Sequence, residues 1–115
     1  MSEPLAPVQV RRGEVWWVDL NPTRGSEIRK TRPAVVLTAN ALNRARRTVV
    51  VVPLSTGPAP RPPVVVATPS AGAGSVAVCD QMRAVDKGRL TRCTGQITAA
   101  DLRVVENGVR AVLEL

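Results

Sequence analysis

The sequence has no histidine, tyrosine or phenylalanine, and only two tryptophans and two cysteines. Without histidine, Ser-His or Cys-His nucleophilic catalysis, an imidazole proton relay and a His-ligated zinc site are all excluded. Cys79 and Cys93 are too few for an all-cysteine zinc site and form no C-x-x-C redox pair, a usage that fits a reducing compartment. Both read as buried apolar fillers. The longest apolar run, Val49-Val50-Val51-Val52-Pro53-Leu54, falls far short of the roughly 18 residues of a membrane-spanning helix. The start, Met1 to Pro7, carries an acid and two prolines and no basic segment, unlike a secretory signal. A soluble, cytoplasmic protein with no membrane partner is expected.

What is present is apolar bulk, mostly valine and alanine, and positive charge. With 115 residues, 44% of them apolar, the chain suits one domain with a modest core, here residues 11–115, after a loose tail at 1–10. The net charge is +7. Residues 24–47 hold seven basic groups (Arg24, Arg29, Lys30, Arg32, Arg44, Arg46, Arg47) against one acid, Glu27, leaving +6 there and +1 elsewhere. Such clustering is the footprint of a polyanion, and the plainer alternative is a solvated surface in an arginine-rich chain.

Val-rich runs at 15–20, 34–38, 48–54, 63–68 and 75–79, with a sixth at 90–97, are punctuated by Pro and Gly and read as strands. Their spacing predicts a mainly β protein, a small antiparallel barrel or strongly curved sheet, with no crossover helices between strands. One helix ends the chain. Thr98-Ala99-Ala100-Asp101 reads as a capping box, and Leu102, Val105, Val109, Val112 and Leu113 follow at helical period. Glu106 and Arg110 are spaced for a weak i,i+4 pair, and Gly108 costs about 1 kcal/mol against Ala. The connections 21–31, 39–47, 55–62 and 69–74 read as loops. Two of them hold most of the basic cluster and are expected to border one groove.

Between the first two runs, Pro33 biases Arg32 toward extended backbone, making Arg32 the last loop residue before a Val-rich strand. A guanidinium held there can grip a phosphate through two parallel hydrogen bonds. Trp16 and Trp17 are adjacent in a strand, so one points into the core and the other outward, to stack a base or to pack in a dimer. No cluster of carboxylates suggests a metal site, and neither metal nor cofactor is expected.

Five stretches in order give the chain a resemblance to a known family. They are Arg12-Gly13-Glu14-Val15-Trp16 with Asp19-Leu20-Asn21-Pro22, then Gly25-Ser26-Glu27, Thr31-Arg32-Pro33-Ala34-Val35-Val36, Val51-Val52-Pro53-Leu54-Ser55, and Asp80-Gln81-Met82-Arg83-Ala84-Val85-Asp86-Lys87. From about Arg11 to Leu113 the sequence resembles the MazF/PemK toxins of toxin–antitoxin systems, endoribonucleases that cut messenger RNA. The resemblance implies a strongly curved, SH3-like sheet of the PemK/CcdB type with a C-terminal helix. It also implies a homodimer whose interface forms the RNA groove, a cognate antitoxin, and metal-independent attack of a ribose 2′-OH on the adjacent phosphorus, leaving 2′,3′-cyclic phosphate and 5′-OH ends.

Carried over by position, Arg32 is the catalytic arginine and Ser55 the partner hydroxyl, where the family usually has threonine. Thr56 follows directly, so which of the two hydroxyls acts stays open. An arginine with a pKa above about 12 stabilises charge better than it accepts a proton, and Glu27 is the candidate for orienting RNA or moving a proton. Arg24, Gly25, Ser26, Thr56, Asp80, Gln81 and Arg83 are the expected RNA contacts. Read from its residues alone, Asp80-Gln81 is a turn, and Arg83 is open to pairing with Asp86. Arg44, Arg46 and Arg47 suit RNA, an acidic antitoxin segment or simple solubility. Two competing functions are a gyrase-binding toxin of the CcdB kind, against which the C-terminus Ala111 to Leu115 lacks a Trp-Gly-Ile ending, and a basic RNA-binding module without cleavage.

Overall fold

Strands that are almost continuously valine need apolar cover on both faces. The computed structural model, which describes residues 9–21, 25 and 30–115, supplies that cover. Its strands are β1 (Glu14–Asp19), β2 (Thr31–Val36), β3 (Thr48–Ser55), β4 (Val65–Ala67), β5 (Val76–Val78), β6 (Arg83–Asp86) and β7 (Leu90–Gln96), with helices α1 (Asn40–Ala45) and α2 (Ala99–Leu113). Every pairing is antiparallel, in the order β4-β5-β3-β2-β1-β7, and β6 joins the first half of β3 on the edge whose far end holds β5. The sheet is curved and is not closed into a barrel.

Alternate residues of the central strands enter two separate cores. Trp16, Val18, Ala34, Val36, Val49 and Val51 pack on one face with Val10, Val85 and Leu90. Val15, Val35, Val52 and Leu54 pack on the other with Cys79, Ile97, Val105 and Val109. Each fully buried Val or Leu contributes about 1.5–3 kcal/mol, and losing either core would expose half of every central strand. Helix α2 covers the second face. Its Thr98 Oγ1 accepts from the Asp101 amide at 3.2 Å, as a capping box requires. The reciprocal bond is not made: the Asp101 carboxylate instead takes the Ser70 amide at 2.8 Å and the Ser70 hydroxyl, and the Thr98 amide donates to Ser70 Oγ at 3.1 Å.

Other expectations are also corrected. A seventh strand, β6, lies in a stretch for which no element was expected, its short Ala84-Val85 core completing the edge of β3. Residues 40–45 form a short helix in place of a loop, inside the β2–β3 connection and not as a crossover. Arg32 is the second residue of β2, and not the last of a loop, because the β1 ladder continues through Val18↔Arg32 to Asp19↔Thr31. Glu106 pairs with Arg12, brought over it by the fold, and not with Arg110. Cys93 is exposed on the edge strand β7, whereas Cys79 is fully buried. Val10, expected in a tail, is buried in the first core, while residues 1–8 lie outside the described residues.

The register of β2 against β3 is fixed at the closed end of their hairpin. Leu37 donates to the Val50 carbonyl at 2.9 Å, the Val50 amide donates to Thr38 Oγ1 at 2.8 Å, and buried Asn43 donates from Nδ2 to the Thr38 carbonyl at 2.8 Å.

Gly108 follows from packing. A Cβ there would lie 2.5 Å from Cys79 Sγ and 2.6 Å from the Pro63 carbonyl oxygen, so only glycine lets α2 approach this closely. A helical Gly→Ala change ordinarily gains about 1 kcal/mol, and overpacking costs about 1–3 kcal/mol. Gly108→Ala is therefore expected to lower the melting temperature; a higher melting temperature would contradict the close approach of α2.

Candidate active site

The β2–β3 ladder ends at Ala34↔Pro53, and Arg32 and Ser55 each stand two residues beyond it, at the open end of their strands. Residues two apart on a strand share a face, so Arg32 stays on the face of Ala34 and Ser55 on that of Pro53. Both residues, each half-buried, line one surface cavity of about 460 Å³ at the strand ends. Thr56, exposed just beyond β3, lines it as well, together with Thr31 and Lys30. Trp17 and Pro33, opposed in the β1–β2 ladder, reach it from the other face of the sheet. Trp16 is the buried member of the tryptophan pair and Trp17 the half-buried one, so the outward ring faces this cavity.

The far wall is Ala71, Gly72 and Ser75. It stands on the 3-10 turn Pro69–Ala71, which Asp101 holds through Ser70, and on a buried hydroxyl pair, Thr68 Oγ1 and Ser75 Oγ at 3.1 Å. A helix terminus and a strand end thus meet across the same opening. The near side is tied down by arginines. Arg83 Nη1 donates to the Leu20 carbonyl at 3.2 Å, and Arg89 Nη1 donates to the Asp19 carbonyl at 3.1 Å and to that of Asn21. Arg89 had no sequence signal, because its partners are backbone atoms some seventy residues away.

Of the residues singled out in the sequence, Arg32, Ser55 and Thr56 come together here. Gly25 is exposed with a φ of +59°, a left-handed conformation that suits glycine. Arg24, Ser26 and Glu27 lie outside the described residues. Asp80 and Gln81 sit in the 3-10 turn Cys79–Gln81 and do not line the cavity. Arg83 does not bond Asp86, whose Oδ1 accepts from the Gly88 amide at 2.7 Å. Arg46 and Arg47 line a separate depression beside Ala45 and Thr48, across β3 from Ser55 by roughly 20 Å along an unbent strand. Among the described residues, Lys30 and Arg32 thus line one depression and Arg46 and Arg47 another.

Chemically, the cavity offers a guanidinium, the hydroxyls of Thr31, Ser55, Thr56 and Ser75, an ammonium and an indole, a set suited to a phosphate and the base beside it. Burial and the nearby Asp80 charge push the Cys79 thiol up to about 11, so it is no nucleophile at neutral pH. Among the described residues, no group of three His, Cys, Asp or Glu side chains is placed to share a metal ion, and no helix is long and apolar enough to cross a membrane.

Known proteins resemble this chain in sequence and fold. The family model described as PemK-like, MazF-like toxin of type II toxin–antitoxin systems matches residues 11–113. Endoribonuclease MazF9 of Mycobacterium tuberculosis is 35% identical over 115 residues, covering 92% of this chain and 98% of its own. The solved structure of an endoribonuclease from a mycobacterial species aligns with a TM-score of 0.78 at 26% identity over 94% of both chains. An endoribonuclease in complex with its cognate antitoxin, also mycobacterial, aligns with a TM-score of 0.76 at 24% identity over 92% of this chain and 96% of that one, a likeness of fold.

The cavity wall can be tested by itself. Asp101→Ala removes a charge-assisted bond to the Ser70 amide and is expected to cost about 1–2 kcal/mol in urea unfolding, with faster amide exchange at Ser70. Unchanged stability and exchange would show that the wall stands without this tie.

Proposed function

The chain belongs to the PemK-like, MazF-like toxins of type II toxin–antitoxin systems, and from that membership we propose that it is an endoribonuclease cutting single-stranded messenger RNA at a short sequence. The observation that carries the proposal is the convergence of Arg32 and Ser55, from adjacent strands, on one open cavity.

The substrate's own 2′-oxygen is the nucleophile. The O2′–P bond forms as the P–O5′ bond breaks, the 2′-OH proton leaves and the departing 5′-oxygen gains a proton, giving 2′,3′-cyclic phosphate and 5′-OH ends. Arg32 holds two phosphate oxygens through its planar fork and stabilises the negative charge that builds on them. Ser55, or Thr56 beside it, donates a further hydrogen bond to the same group. Glu27 serves as the proton acceptor or as an RNA-orienting group, and Arg24, Gly25 and Ser26, its neighbours in the sequence, contact the RNA with it. Trp17 stacks the base next to the held phosphate. Beyond the cavity, Asp80, Gln81 and Arg83 read the next bases. The functional unit is a homodimer in the cytoplasm, neutralised by a cognate antitoxin. The likeness of fold to a toxin solved with its antitoxin supports that partner.

The test is incubation of the purified protein with single-stranded RNA in excess EDTA, beside Arg32→Ala, Ser55→Ala and Thr56→Ala. Arg32→Ala is expected to slow cleavage about 10²–10³-fold, the cost of removing one preorganised donor to a developing oxyanion. The weaker of the two hydroxyl variants identifies the acting side chain. Equal cutting by Arg32→Ala overturns the Arg32 mechanism, and intact RNA with wild type overturns the nuclease; binding without cutting then favours a simple RNA-binding module.

A further inference from the structure

We infer that Lys30 is a phosphate-binding residue of the Arg32 cavity, holding a phosphate of the RNA strand next to the one that Arg32 grips. The inference rests on the function proposed above and extends it to a residue outside that machinery.

Lys30 has a φ of +69°, in the left-handed region. A lysine there is strained, while glycine adopts the same conformation without a Cβ clash and asparagine tolerates it. The conformation is imposed from both sides. The Leu20 amide donates to the Lys30 carbonyl at 3.1 Å, and the Lys30 amide donates to Asn21 Oδ1 at 3.1 Å. Nothing in this turn needs a long side chain: Lys30 is exposed and outside both cores. Strain kept at a position where glycine would relieve it is a mark of functional sites.

The side chain sits where a cation is useful. Lys30 lines the cavity two residues from Arg32, and Cα atoms two residues apart lie at most about 7 Å from each other, enough for two cations to reach different phosphates of one strand. Among the described residues its ammonium has no ion-pair partner. The carboxylate nearest in the ladder, Asp19 opposite Thr31, accepts from the Asn21 amide at 3.0 Å. A lysine is a compact charge with rotatable donors, suited to holding a neighbouring phosphate without dictating its angle, and the guanidinium fork fixes the reacting one.

The experiment compares wild type, Lys30→Gly, Lys30→Asn and Lys30→Arg on an RNA oligonucleotide carrying the mapped cut site and on the same strand with a 2′-deoxy nucleotide there, which binds but offers no nucleophile. Lys30→Gly and Lys30→Asn are expected to melt no lower than wild type yet bind about tenfold more weakly at low salt, with the slope of log affinity against log salt shallower by about 0.7, one phosphate contact. KM rises more than kcat falls, and Lys30→Arg keeps the wild-type slope. Unchanged affinity and slope in the glycine and asparagine variants overturn the assignment. So does weaker binding with an unchanged slope, which reports a reshaped turn and not a lost contact. Wild type that binds RNA but never cuts it overturns the nuclease and leaves the Lys30 slope to be judged separately.

Discussion

The register of β2 against β3 is the constraint on which the site depends. In most antiparallel sheets the alternation of apolar and polar residues fixes register, since a one-residue slip turns the buried face to water. Here Val35 and Val36 are both fully buried, on opposite faces, so a slip would exchange valine for valine. The polar contacts at the hairpin's closed end do the fixing instead: Thr38 accepts from the Val50 amide, and Asn43 holds Thr38 from inside the protein. Burying an amide is costly unless it is bonded, and a buried polar group that specifies one pairing among near-equal ones is a known use of that cost. Seven residues along β3 from its start, this choice carries Ser55 to the strand end next to the start of β2, where Arg32 stands.

The same economy governs the rest of the cavity. Its wall is held by Asp101, the first-turn acid of α2, and its near side by Arg83 and Arg89 bonded to backbone carbonyls at the end of β1. Each of these charged groups stabilises a loop boundary from a regular element. Arg32 and Ser55 stand on strand ends whose neighbouring loops are tied in this way, so a curved sheet can present a guanidinium and a hydroxyl to one cavity without histidine.

Much of this was legible in the sequence. Valine runs located β1 to β5, the run at 90–97 located β7, helical period and Thr98 located α2, and motif order brought Arg32 and Ser55 forward together. What was not legible depends on partners distant along the chain. β6 has only Ala84 and Val85 as apolar members and is a strand because the edge of β3 is there to pair with it. Helix α1 has no side-chain cap and no acid in its first turn, and its signal is a single buried asparagine. Asp101 and Glu106 had plausible local partners, and the fold offered each a different one, Ser70 and Arg12. The left-handed turn at Lys30 was hidden for the opposite reason: its residue type argues against the conformation it adopts.

The central claim is that Arg32 and Ser55 act as one unit because the sheet register joins them. A double-mutant cycle on the single-turnover cleavage rate, built from wild type, Arg32→Lys, Ser55→Ala and the double variant, measures that directly. If the two hold the same phosphate, the double variant cuts at nearly the rate of the slower single variant. Losses that simply multiply would mean that the two residues act independently, and would contradict the account.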